Sequence, residues 1–302
     1  MSDLRIGVII TDNLGLDALT EYISGLAQLG LHSAWMAQTF AADALTQLAL
    51  VGRVVPGIEL GTAVVPTYPR HPLMLASQAL TVQAAIGGRL ALGVGLSHKP
   101  VIEKMYGYSF DKPARHMSEY LSVLIAIRDN GTVRFRGETL TASTFMPVQV
   151  EGATPFPILL AAMGDKMLEL AGAVGDGTIT WMTGPHTLTD HIVPKLHAAA
   201  AAAQRPVPRT IAGLPILLTA DVDAARETAA TEFAHYGQLP SYRAMLDREG
   251  AAGPADVAII GDEQHIGSRI ATLCDTGLTD FIAVPFGPAT DQRRTLELLA
   301  SL

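Results

Sequence analysis

Few residues of this chain are of a type and placement that could do chemistry. Nine histidines are present. The one best placed for proton transfer is His98, which follows the glycine-rich run LALGVGLS and can titrate near neutrality. His71, in Arg-His-Pro, reads as the opening of a helix, and His116 as a residue on a helix face. After Trp35 the chain continues Met36-Ala37-Gln38-Thr39-Phe40. Gln38 can hydrogen-bond there but cannot exchange a proton. The turn Ala161-Ala162-Met163-Gly164-Asp165 leaves an apolar run and opens a helix. Its free backbone N–H groups make an anion site that needs no positive net charge. Lys166 can add a charge-assisted contact, and Asp165 reads as the helix cap. Cys274, alone in the chain, falls in a helical pattern and reads as a packed small side chain.

Other chemistries lack their residues. No Gly-x-Gly-x-x-Gly follows the first apolar run, where Gly7 leads into VIITDN. Phosphate-loop, His-Glu-x-x-His, paired Cys–His and Gly-x-Ser-x-Gly patterns are missing too, which leaves organic-cofactor chemistry. The net charge of −8 argues against nucleic acid or an anionic membrane as partner. No apolar stretch approaches the ~20 residues that span a bilayer. With one cysteine and no leader-like segment before Arg5, the expectation is a soluble, cytoplasmic protein. Hydrophobic residues make up 49% and charged residues 17%, so much of the chain must be buried.

Short apolar runs alternate with amphipathic ones from end to end. Strands are expected at Arg5–Thr11, Ser33–Ala37, Glu59–Val65, Arg89–Gly95, Pro157–Ala161, Gly177–Trp181, Thr210–Leu218 and Asp280–Pro285. Helices are expected at Leu16–Leu29, Asp43–Val55, His71–Ile86, Ala114–Asn130, Asp165–Val174, Thr187–Ala203, Asp223–Phe233 and Gln264–Thr276, with Asp43 as a cap and Gly30 and Gly277 as stops. Strict alternation implies a parallel sheet with right-handed crossovers. Eight units suit closure into a (β/α)8 TIM barrel better than an open doubly wound sheet, whose edges would need cover. The expectation is one domain over residues 1–302, with insertions at about 96–156 and 236–261 and a hairpin over Thr132–Val150. Its chemistry should lie at the C-terminal rim of the strands.

The run GTAVVPTYPRHPLMLASQALTVQAAIGGRLALGVGLSH (Gly61–His98) resembles the luciferase-like flavin and deazaflavin oxidoreductases. Their G-T-x-V, P-x-x-R-x-P, A-x-Q-A-x-T and G-R-x-x-L-G-V-G segments find matches from Gly61-Thr62 through Arg70 and Gln78 to Arg89 and Gly93-Val94-Gly95. AGAVGDGTI (Ala171–Ile179) and the stretches Pro240–Gly250 and Ala258–Phe286 look like the branch that depends on coenzyme F420. The resemblance implies a luciferase-like barrel moving a hydride between F420 and a small-molecule substrate. A non-proline cis peptide is implied at Ala63–Val64, against the ring. Cofactor contacts are implied for Met36, Thr62, Ala63, Val64, Gly95, Leu96, Ser97, Ala161, Ala162, Met163, Gly164, Thr180 and Trp181. His98 and Gln38 are the catalytic candidates. FMN is the alternative cofactor, as in a monooxygenase of the same superfamily, and a flavin-binding protein without turnover is the alternative of another kind. A homodimer is expected. Relatives carry an acid or histidine after the second-strand tryptophan, where this chain has only Gln38.

Overall fold

The computed structural model describes residues 4–11 and 13–302. Eight parallel strands form the barrel: β1 (Arg5–Ile10), β2 (Ser33–Met36), β3 (Glu59–Thr62), β4 (Leu90–Gly95), β5 (Ile158–Ala161), β6 (Gly177–Trp181), β7 (Arg209–Leu218) and β8 (Asp280–Pro285). Each pairs with the next in sequence, β8 pairs with β1, and no edge remains. The expected (β/α)8 TIM barrel is the observed fold, and all eight strands fall where the apolar runs place them.

Alternation along the strands separates two cores. Trp35, Ala91, Leu159, Ile179, Ile211 and Ile282 fill the lumen, with Ile9, Ala63 and Val64 against them. The other parity, such as Ala34, Leu60, Leu92 and Leu160, meets the helices outside. Trp35 sets the terms inside. A Cβ on Gly61 would lie 2.2 Å from its ring, so only glycine fits there. Its indole N–H donates to Ser33 Oγ at 2.7 Å, and a Cβ on Gly7 would strike that hydroxyl.

Charges close the N-terminal end of the barrel. Arg209, from the start of β7, donates to both oxygens of Glu59 and to Asp280 at 2.7–3.3 Å, and its guanidinium lies 5.9 Å from the Trp35 ring. Asp280 is 1% exposed and also accepts from Arg5. Burial alone would lower the Arg209 pKa, but its two carboxylates raise it further, so the cation is secure. Asp176, the acid of the AGAVGDG segment, belongs to this end as well. It accepts from Arg128, Arg205 and the Ile158 N–H.

Local signals also held in detail. Asp43 caps its helix through the Thr46 N–H, His71 caps Pro72–Ala85, and Gly30 takes a left-handed φ of 88°. The hairpin pairs Arg134–Arg136 with Thr141–Ser143. It is tied down by Glu119, which accepts three backbone N–H bonds from Glu138, Thr139 and Leu140. Burial works against the Glu119 carboxylate, but these donors hold it at about 2.

Four expectations need correction. Asp165 is not a cap: Gly164 occupies that position and Asp165 pairs with Lys195. The helix expected over Thr187–Ala203 contains a π-helical turn, Leu188–Ile192, just before Pro194, whose ring nitrogen cannot donate to the ladder. The insertion at 236–261 is mostly helical, with Pro240–Glu249 at its centre and a short strand, Ile259–Gly261, that pairs parallel with the C-terminal end of β7. A further helix, Ala289–Leu299, follows β8; its mostly polar sequence gave too narrow an apolar stripe to read.

Replacing Arg209 by leucine would leave Asp280 buried without its main partner. The expected loss is about 3 kcal/mol of unfolding free energy, read from urea denaturation. An unchanged midpoint would show that Arg5 alone suffices.

Candidate functional site

The C-terminal ends of the strands open into a cavity of about 450 Å³, within the size range of small-molecule sites. Its floor is the top of the lumen core. The peptide bond Ala63–Val64 is cis, at the step the family resemblance singles out. It follows β3 directly, and both side chains face the cavity. The glycines of β4 lie behind this step. A Cβ on Gly93 would fall 2.0 Å from the Thr62 carbonyl, and one on Gly95 would fall 2.6 Å from a Val64 methyl carbon and 3.1 Å from Ala161 Cβ. Gly95 therefore makes room for the protein's own wall.

Of the sequence-derived site residues, Gln38, Ala63, Val64, Ser97, His98, Ala161, Met163, Thr180 and Trp181 line the cavity together. Met36, Thr62, Gly95, Leu96, Ala162 and Gly164 do not. Strand parity explains the first: Trp35 points into the lumen, so Met36 points to the helical layer, as does Ala162. Thr62 spends its hydroxyl on both the carbonyl and the N–H of Gly93, at 2.8 and 2.9 Å. Leu96 packs against the outer core, and Gly164 is exposed at the helix start.

Gln38 is held from all sides. Its Oε1 accepts from the Ala44 N–H at 2.9 Å and from Arg70 at 3.2 Å, and its Nε2 donates to the Thr39 carbonyl at 3.0 Å. Arg70 also donates to Gln78 and pairs with Asp43, while Tyr120 donates to the Arg70 carbonyl. The P-x-x-R-x-P arginine and the A-x-Q-A glutamine thus brace the loop after β2. Gln38 is a positioning residue in this network, with its hydrogen-bonding capacity already used.

His98 is half-buried at the mouth, just after Ser97, whose φ of 61° turns the chain off β4. Burial pushes its pKa below the ordinary value near 6.5, and the nearby imidazole of His235 adds to this. At neutral pH His98 is therefore uncharged. On the opposite side, the buried His191 lies 2.7 Å from the Met163 carbonyl through Nε2. Burial lowers its pKa too, so it holds this turn as a neutral donor.

Sequence reasoning singled out none of the residues of the wall formed by Tyr236, Leu239 and Tyr242 of the 236–261 insertion and by His235 just before it. Tyr236 stands edge-on to Trp181 with ring centres 5.6 Å apart, and Tyr242 edge-on to Tyr236 at 5.3 Å. Burial raises the pKa of both phenols, which stay protonated. The Trp181 indole N–H comes near Tyr236 and partly offsets that rise, yet it meets no acceptor in hydrogen-bonding geometry. Insertion length was the only sequence signal for this wall. Tyr106 and Val101, from the insertion after β4, complete the lining.

Among the described residues, no group of three histidines, cysteines or acids could hold a metal ion. No helix among them is long and apolar enough to cross a membrane. Cys274 is half-buried beside Leu4 and Ile6, away from this cavity.

Comparison with known proteins agrees with this geometry. The family model for luciferase-like monooxygenases matches residues 4–280, and the chain belongs to that family. Its relatives and fold neighbours include F420-dependent oxidoreductases and an FMN monooxygenase, and the chain is an oxidoreductase of this family. F420-dependent glucose-6-phosphate dehydrogenase of Amycolatopsis mediterranei is 25% identical, over 94% of this chain and 92% of that protein. The coenzyme F420-dependent tetrahydromethanopterin reductase of Methanopyrus kandleri superposes with a TM-score of 0.83 at 21% identity, covering 99% and 98% of the two chains. The FMN complex of a type II Baeyer–Villiger monooxygenase from Pseudomonas putida gives 0.76 at 14% identity, covering 99% and 97%.

Gly95→Ala would push Val64 and Ala161 apart at the back wall. The expected cost is about 1–3 kcal/mol in urea denaturation, and an undiminished midpoint would show that the wall can yield.

Proposed function

We propose that the protein is an F420-dependent oxidoreductase that moves a hydride between the deazaflavin coenzyme and a small organic substrate in the rim cavity. The observation that carries this reading is the cavity's flat apolar back, Ala63–Val64 on the top of the lumen core, in a chain whose relatives include enzymes named for F420. The residues present fit such a ring. Ala63, Val64 and Ile179 offer it small or stiff apolar contact, and Ala161 keeps one edge low. The first turn of helix Asp165–Ala173 has no side-chain cap, and the N–H groups of Asp165 and Lys166 at its start are available to an anionic tail.

When bound, the coenzyme supplies the hydride chemistry. The chain's own residues orient, dry and complete the chamber. Ala63 and Val64 back the ring, Ser97 and Met163 flank it, and the Tyr236–Tyr242 wall keeps water from the open side. His98 is the titratable group placed to hold or release a proton at the substrate, through an imidazole nitrogen. An FMN-dependent monooxygenase is the second reading, supported by the likeness to the FMN-bound fold neighbour. Leu50, Val54 and Met74, exposed on the adjacent helices Ala44–Val54 and Pro72–Ala85, support a homodimer.

Titration of the purified protein with oxidised F420 and with FMN tests the cofactor. F420 is expected to bind at least tenfold more tightly. The reverse order would move the protein to the monooxygenase reading, and binding of neither would overturn both.

The position of His98 also fixes a pH dependence. Because its pKa lies below 6.5, it gains a proton only as pH falls below that value. If it supplies the substrate's proton, kcat rises as pH drops through that range and levels at lower pH. His98→Asn should flatten this limb. A pH profile identical in the variant would assign the proton to solvent.

A further inference from the structure

We propose that the substrate is an uncharged, planar, conjugated molecule seated against the Trp181–Tyr236–Tyr242 wall. This rests on the rim cavity being the substrate site of the oxidoreductase proposed above.

The charge inventory carries the first part. Among the described residues lining the cavity there is no Lys, Arg, Asp or Glu. The nearest guanidinium groups in sequence are committed elsewhere. Arg70 is held by Asp43, Gln78 and Gln38, and Arg243 by Asp247 and the carbonyls of Ala251 and Ala252. His98, the half-buried imidazole of the lining, is kept neutral by burial. A carboxylate or phosphate entering this chamber would give up its hydration with no lysine or arginine in the described lining to receive it, which is unfavourable. The dehydrogenase relative named for glucose 6-phosphate acts on a dianion. This cavity has no counterpart for such a charge among the lining residues described.

The aromatic geometry carries the second part. Trp181, Tyr236 and Tyr242 stand edge to face in sequence, with interplanar angles of 74° and 90°, so their neighbouring rings expose flat apolar surface in different orientations. A planar conjugated molecule can stack on one ring and meet the edge of the next. The phenols on this wall stay protonated because they are buried, so the wall offers an uncharged face.

Methyl cinnamate and cinnamate make a matched pair of probes, equal in plane and length and differing in charge. Binding of each to the purified protein at pH 8, with and without oxidised F420, can be followed by equilibrium dialysis. The ester is expected to bind, and the carboxylate at least tenfold more weakly. In Trp181→Leu, which removes the ring and keeps an apolar side chain, the ester should lose about three- to tenfold in affinity with circular dichroism unchanged. Carboxylate binding equal to or tighter than the ester's would overturn the charge argument. Undiminished ester affinity in Trp181→Leu would overturn the assigned wall. Binding of F420 without binding of the ester would remove this substrate class and leave the cofactor reading standing, whereas ester binding without F420 binding would do the opposite.

Discussion

A tryptophan inside a barrel lumen constrains everything around it. Trp35 occupies space that the two neighbouring strands must vacate, so Gly61 has no side chain and Gly7 leaves room for the serine that accepts the indole N–H. Filled in this way, the lumen is dense from its base up to Ile179 and Ala63. The open space begins only above that layer, at the C-terminal ends of the strands. The cavity is where it is because the packing below it is complete.

The two ends of the barrel then take opposite electrostatic characters. At the base, Arg209, Glu59, Asp280 and Arg5 neutralise one another within a few ångströms. Asp176 with Arg128 and Arg205 repeats the device nearby. At the rim, the described lining holds no Lys, Arg, Asp or Glu, and burial keeps His98, Tyr236 and Tyr242 in their neutral forms. Charge is thus kept where it braces strands and away from where a ligand would sit. A dry chamber of neutral dipoles favours chemistry in which a bound organic group does the work and the protein orients it.

The barrel was legible because each strand carries its own local signature: a short apolar run bounded by Gly or Pro, followed by a capped helix. Asp43, His71 and Gly30 act as read because caps depend on one or two residues and on little else. The site was legible where it coincides with strand ends, as at Ala63, Val64, His98 and Trp181. It failed where parity or tertiary contact decides. Met36 is one residue from Trp35 and faces the other core, and the bareness of Gly95 makes room for Val64. Gln38 looked free because its partners Arg70 and Ala44 are brought to it only by folding. The tyrosines of the insertion after β7 carry no motif, and nothing in their spacing says that they turn back over the rim.

The distribution of the cavity walls along the chain has a consequence for how such an enzyme can change. The back wall belongs to β3, β4 and β5, elements locked into the barrel by ladders on both sides. Most of the facing wall belongs to one continuous stretch, from His235 to Tyr242, in two short consecutive helices. Mutations in that stretch can remodel what is admitted without disturbing the strands beneath. Selection, or an engineer, can therefore exchange the reader of the substrate as a cassette while the chassis is inherited unaltered.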